Sequence, residues 1–247
     1  MSRSLSSSLA TLLVLASFLA ACDKEEDEDV RMVVPLAQSM TLGLEHHMDG
    51  VDLARDTLLY YTLTGHNYSV SRFEYYVSEI VLQGASGTPN DTIHGPYYAD
   101  GNRSFQLGTM AAGTYSGATL LLGLPPTINV TAGLPNTLEN VNMAWPDPMG
   151  GGYHFIKFEG HFMDTGILIG FAMHVGNNAY LPRAELGQPF VLDGKSGTLV
   201  IRFNLNELFR TPHSYDLAAG NYSMGNAALM GQLRDNAVDA FTIEYRP

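Results

Sequence analysis

The chain has a single cysteine, Cys22. That excludes an intrachain disulfide framework and any Cys-rich zinc or iron–sulfur centre. Basic residues are scarce: 13 Lys and Arg stand against 25 Asp and Glu, for a formal net charge of −12. Nucleic acid demands a basic face, so no nucleic-acid partner is expected. No Gly-x-Ser-x-Gly, His-Glu-x-x-His or Gly-x-x-x-x-Gly-Lys-Ser/Thr motif occurs, which removes the usual marks of a hydrolase nucleophile elbow, a zinc protease or a phosphate-cradling loop. Gly150-Gly151-Gly152 lacks the strand–helix context of a dinucleotide fingerprint and reads as a flexible turn. With no general base or open-site constellation, the sequence predicts a binding protein and not an enzyme. There is also no apolar run long enough to span a bilayer comfortably.

What is present at the start is an export signal. Arg3 gives a positive beginning, Leu9 to Ala21 is apolar and small, and the run ends Leu19-Ala20-Ala21-Cys22. This resembles the bacterial lipobox, in which cleavage precedes the cysteine and the thiol is lipidated. Residues 1–21 are therefore expected to be a lipoprotein signal peptide, with Cys22 the lipidation site and membrane anchor. Asp23 to Asp29 holds six acids and one Lys, which cannot pack, so 22–35 reads as a lipidated, solvated tether. The expected location is the bacterial cell envelope, at the outer membrane, the cell surface or in the periplasm.

The rest, 36–247, reads as one domain. No sustained helical period appears; alternating or apolar runs do, at Ser39 to Met48, Phe73 to Leu82, Thr119 to Leu124, Tyr153 to His161, Ile167 to Val175, Gly197 to Leu205 and Phe241 to Tyr245. Gly and Pro turns separate them. The expectation is an all-β fold, an antiparallel sandwich or barrel-like single domain, with short helical insertions at Glu207 to Phe209 and near Met224 to Asn236.

Eight His, eleven Met and one Trp remain as a source of chemistry. Imidazole and thioether suit copper, the thioether favouring Cu(I). No close spacing declares a site, so any site is assembled from distant strands. Taken singly, each His has a plain structural alternative: His46 shares parity with Leu42 and Leu44 and reads as a buried strand residue, with His47 taking its place if the register slips. His174 reads as a strand-end residue before Gly176, and His154 and His161 as surface residues. Trp145, ahead of Pro146, reads as a core plug at a chain turn.

Asn142-Met143-Ala144-Trp145, followed by Gly152-Tyr153-His154-Phe155-Ile156-Lys157-Phe158-Glu159-Gly160, resembles the Met-x-Trp … Gly-Tyr-x-x-x-Lys-x-Glu-Gly stretch of the MbnP-like family of envelope copper-binding proteins. Leu42 to Gly50, Gly65 to Leu82, Leu107-Gly108, Ala112 to Tyr115, Phe171 to Gly176 and Asn204 to Phe209 follow in matching order. The resemblance implies a β-rich domain that binds copper, as Cu(I), through two His from separate strands. By position these are His46 and His174. It further implies a Trp near the metal that a di-haem, MauG-like partner oxidises to kynurenine. Trp145 is the residue left for that role, because the family's second Trp is replaced here by Asp147. Glu45, Asp49 and Glu159 are available to orient the ligands, and Met48, Met143 and Met173 to add a soft contact. The resulting expectation is a lipid-anchored copper protein for acquisition, storage or handover. The alternative is a metal-free surface adhesion lipoprotein, suggested by Tyr60-Tyr61, Tyr75-Tyr76 and Tyr97-Tyr98.

Overall fold

The computed structural model describes residues 37–247; the expected signal peptide, Cys22 and the expected acidic tether lie outside the described residues. The fold is all-β, with two sheets packed as a sandwich. The smaller sheet contains β1 (Ala37–Met48), β2 (Val51–Asp52), β7 (Arg103–Ala111), β13 (Gly197–Asn204) and β14 (Phe241–Arg246), in the order β14-β13-β1-β2, with β7 also paired to β1. The larger sheet is built around β4 (Asn67–Ala85). Its order is β10-β9-β4-β8-β11, where β8 is Gly113–Leu122, β9 His154–Asp164, β10 Ile167–Gly176 and β11 Arg183–Leu186. The short strands β3 (Tyr60–Tyr61), β5 (Asp91–Ile93) and β6 (Tyr97–Ala99) pair with β4, and β12 (Phe190–Leu192) pairs with β8.

Most pairs are antiparallel, as the sequence predicts. Among the described strand ladders the exception is β1 beside β13, which run parallel from Met40↔Gly197 to His47↔Asn204. This pairing joins residues over 150 positions apart and leaves no local mark in the sequence. Between the sheets lies an apolar core with many edge-on aromatic contacts: Phe73 meets Phe158 at 5.4 Å and Phe203 at 5.2 Å. Such rings contribute area and edge-to-face attraction together.

Part of the outer face of the larger sheet is also covered, by the chain between β8 and β9. That connection contains a five-residue helix, α1 (Leu138–Asn142), N-capped by Thr137, which the sequence reading did not anticipate. Tyr76 on this face is buried and donates to Asn140 Oδ1 at 2.7 Å. Alternation predicts one ring of Tyr75-Tyr76 inside and one in solvent; both are buried because the α1 connection covers the second. The anticipated helices appear as a 3₁₀ turn, Leu205–Phe209, and as α2 (Ala227–Asn236).

Candidate metal centre

The connection over the larger sheet ends in a tight reversal. Gly150, Gly151 and Gly152 all take positive φ, a region open to glycine. The reversal folds Ala144 back against Tyr153, with Trp145 N–H donating to Gly152 O at 2.9 Å and His154 N–H to Met143 O at 2.7 Å. Trp145 and His154 are thereby brought together, their rings 4.7 Å apart. The indole lies over Gly176 of β10: a Cβ at that position would sit 2.4 Å from Trp145 Cε3. Its Nε1 donates to Met149 O at 3.1 Å, and the residue is 3% exposed. The core-plug reading of Trp145 describes this position.

His154 is not a surface residue; it is buried. It lies under Trp145, on a face set by one extra residue. In the β9–β10 ladder Val175 faces Ile156, but Gly176 faces His154, so Phe155 has no partner. By strict alternation His154 would share the inner face with Ile156 and Phe158. The bulge turns it to the face of His174 instead. The two imidazoles meet at 5.0 Å and 89°.

Each ring is held by a fixed acceptor. His154 Nδ1 lies 3.1 Å from Met143 O. A carbonyl only accepts, so Nδ1 carries the proton and Nε2 keeps its lone pair. Burial, and then the neighbouring His174 and Lys157, push the His154 pKa down to about 3, so the ring is neutral at ordinary pH. His174 Nε2 lies 2.8 Å from Glu159 Oε1. That hydrogen bond, foremost, keeps the Glu159 carboxyl below its usual range. In the neutral His174 ring the proton sits on Nε2 and the lone pair on Nδ1. Ser223 Oγ clamps the backbone of His174, accepting from its N–H and donating to its carbonyl, both at 2.6 Å.

A charged string backs the pair. Arg72 pairs with Glu74 at 3.1 Å and Glu159 at 3.4 Å, and reaches Asn142 Oδ1 at 3.5 Å. Lys157 Nζ donates to Asn142 O. Desolvation lowers the Lys157 pKa.

His46 stands elsewhere. It is buried with its ring at 5.3 Å from Phe73 and 5.2 Å from Tyr75, on the inner side of β4. His174 shares its register with Lys157 and Glu74, on the opposite side of that sheet. The structure therefore does not bring His46 and His174 together. His47, the register alternative, points outward and accepts from Gly50 N–H at 2.8 Å. His161 is exposed, as expected. Met48, Met143 and Met173 all belong to the core. Glu45 pairs with Arg246 and Arg202, and Asp49 with Arg210; of the three acids, Glu159 alone touches a His of this site. The one sequence signal pointing to His154 is the triple-glycine reversal that must return Trp145 to it. Among the described residues no three His, Cys, Asp or Glu side chains gather as a metal cluster.

The family model of MbnP matches residues 37–227. The solved structure of MbnP from Methylosinus trichosporium is similar in fold, with a TM-score of 0.54 at 15% sequence identity, over 85% of this chain and 99% of that one. No curated protein matches the chain.

Proposed function

The chain belongs to the MbnP family, and from that premise we propose that it is a copper-binding protein of the cell envelope, taking Cu(I) as cargo for acquisition, storage or handover. The observation that carries the reading is the pairing of His154 and His174, two imidazoles 5.0 Å apart with their tautomers fixed by Met143 O and Glu159.

The donor set fits the ion. Metal-ligating His residues characteristically give their second N–H to a carbonyl or a carboxylate, and here one ring has each. The nitrogens left free, His154 Nε2 and His174 Nδ1, have no hydrogen-bond partner among the described residues. Two imidazoles suit copper and leave the ion's charge uncompensated except by Glu159, one residue removed. His174 is thus retained from the family-implied pair, and His154 replaces His46. Trp145, packed on His154, is the residue available for oxidation to kynurenine by a di-haem partner. Cys22 supplies the lipid anchor.

A Cu(I) competition titration of the purified protein tests this. One equivalent is expected to bind tightly, with at least a hundredfold loss in His154→Asn and in His174→Asn and little change in His46→Asn. Loss in His46→Asn with retention in His154→Asn would return the site to the family-implied pair. Equal weak binding in all four proteins would leave the copper reading without support.

A further inference from the structure

His46 is a buried imidazole that the metal reading does not use. Its Nε2 lies 2.8 Å from Tyr75 Oη, and that phenol has no other hydrogen-bond partner among the described residues. Tyr75 is 1% exposed, and burial raises its pKa, so the hydroxyl keeps its proton. A buried O–H must find an acceptor. The acceptor here is His46 Nε2, which assigns the remaining proton to Nδ1. Burial lowers the His46 pKa to about 4, so the ring is neutral and Nδ1–H is a neutral donor.

Among the described residues that donor has no acceptor. It is also absent from the sealed, unpartnered atoms of the interior, which among the described residues are Arg202 Nε, Arg210 Nε and Tyr215 Oη. His46 lines a cavity of about 270 Å³ together with Asp52, Leu53, Arg55, Gly101 and Asn102, and this is the space next to the ring into which an unsealed donor can reach. The other polar groups of this wall are mostly donors. Arg55 spends two of its five N–H groups on Ser71 O and Asp100 O. Asn102 Oδ1 accepts from His46 N–H at 3.0 Å, which leaves its amide N–H groups for the cavity. The exception is Asp52, which is exposed, and the Asp100 carboxylate outside the lining also acts on His46.

We infer that this cavity is a binding site for a small monocarboxylate, held by His46 Nδ1–H, the Arg55 guanidinium and the Asn102 amide. A carboxylate matches a convergent set of N–H donors, with the guanidinium supplying the charge-assisted bond. Asp52 sets the charge limit, because a second negative group would meet it. The site lies across the larger sheet from the His154–His174 pair and rests on copper being held there, which leaves His46 free.

The test is NMR of the purified protein with His side-chain nitrogens observed during titration with sodium acetate, against sodium chloride at equal ionic strength. The free protein is expected to show the His46 proton on Nδ1, with acetate shifting that resonance saturably and chloride leaving it unmoved. Arg55→Gln is expected to weaken acetate about tenfold. Asp52→Asn is expected to tighten it severalfold, a gain that partial unfolding cannot imitate. A proton on Nε2, equal shifts with acetate and chloride, or acetate affinity unchanged in both variants would each overturn the inference.

Discussion

Trp145 and Gly176 are in contact through an absence: the indole occupies the space a side chain at Gly176 would fill. A Cβ there would lie 2.4 Å from Cε3, 2.7 Å from Cζ3 and 2.8 Å from Cδ2. None of these atoms can yield as a flexible chain end could. Gly176→Ala is expected to cost about 1–3 kcal/mol, the range for overpacking a filled interior. Since the chain has one Trp, its fluorescence reports the event directly. A shifted emission maximum together with a lowered unfolding midpoint is expected; an unchanged spectrum would mean the ring does not rest on Gly176.

Glu159 is expected to act on copper through His174. Replacing it with Leu removes the acceptor for His174 Nε2–H, so the ring loses its fixed tautomer. Outer-shell losses of this kind cost about 10–100-fold in metal affinity. The readout that separates orientation from damage is the metal-free protein: nitrogen chemical shifts should place the His174 proton on Nε2 in the parent and on a mixture of both nitrogens in Glu159→Leu. Glu159→Gln, which retains a carbonyl acceptor, should restore the tautomer and most of the affinity.

These positions show what the sequence carried. The strands were legible wherever alternation or apolar runs were uninterrupted, as in Phe73 to Leu82 and Ile167 to Val175, because one face of each is buried. Burial of His46 was legible from its parity with Leu42 and Leu44. The face taken by His154, beside His174, was not, because Phe155 enters the ladder without a Gly or Pro to mark it, and one extra residue reverses the face of everything before it. The parallel pairing of β1 with β13 was hidden for a different reason: register between distant strands is decided by the assembled core, which no local window contains. The α1 helix has only five residues, with Leu138 and Val141 exposed, so it has no amphipathic period to read.

Stability is expected to fall in mild acid. Both His46 and His154 keep folded-state pKa values below the ordinary 6.5, at about 4 and about 3, because burial penalises the charged ring. Between pH 6.5 and those values the unfolded chain binds protons that the folded chain refuses. Stability therefore falls as pH falls through that window, by up to about 1.4 kcal/mol per pH unit for each ring. Urea unfolding at pH 6.5 and 5.0 should differ by at most about 4 kcal/mol. His46→Gln should reduce that difference by close to half, whatever its effect on stability at pH 7.5. A parent protein equally stable at both pH values would show that neither ring is held neutral by the fold.

Oxidation of Trp145 would have to proceed from one side. The indole is 3% exposed, and beyond it lies a cavity of about 560 Å³ whose wall includes Trp145, Tyr153, Leu134 and Val141. Leu138 and Val141 of α1 stand 83% and 58% exposed beside it, an apolar approach to a buried ring. If a di-haem partner removes electrons from Trp145, it docks here, because the opposite face of the indole rests on Gly176. Co-production with such a partner should therefore give a kynurenine-containing peptide spanning Trp145, read by mass. Val141→Arg, at an exposed position of α1 whose side chain makes no hydrogen bond to the His154–His174 site, is expected to lower the yield at least severalfold while Cu(I) affinity of the unmodified protein stays unchanged. Full modification in Val141→Arg would place the docking surface elsewhere. An intact Trp in protein isolated from its native host would show that this chain keeps its single indole as the packing element over the His pair.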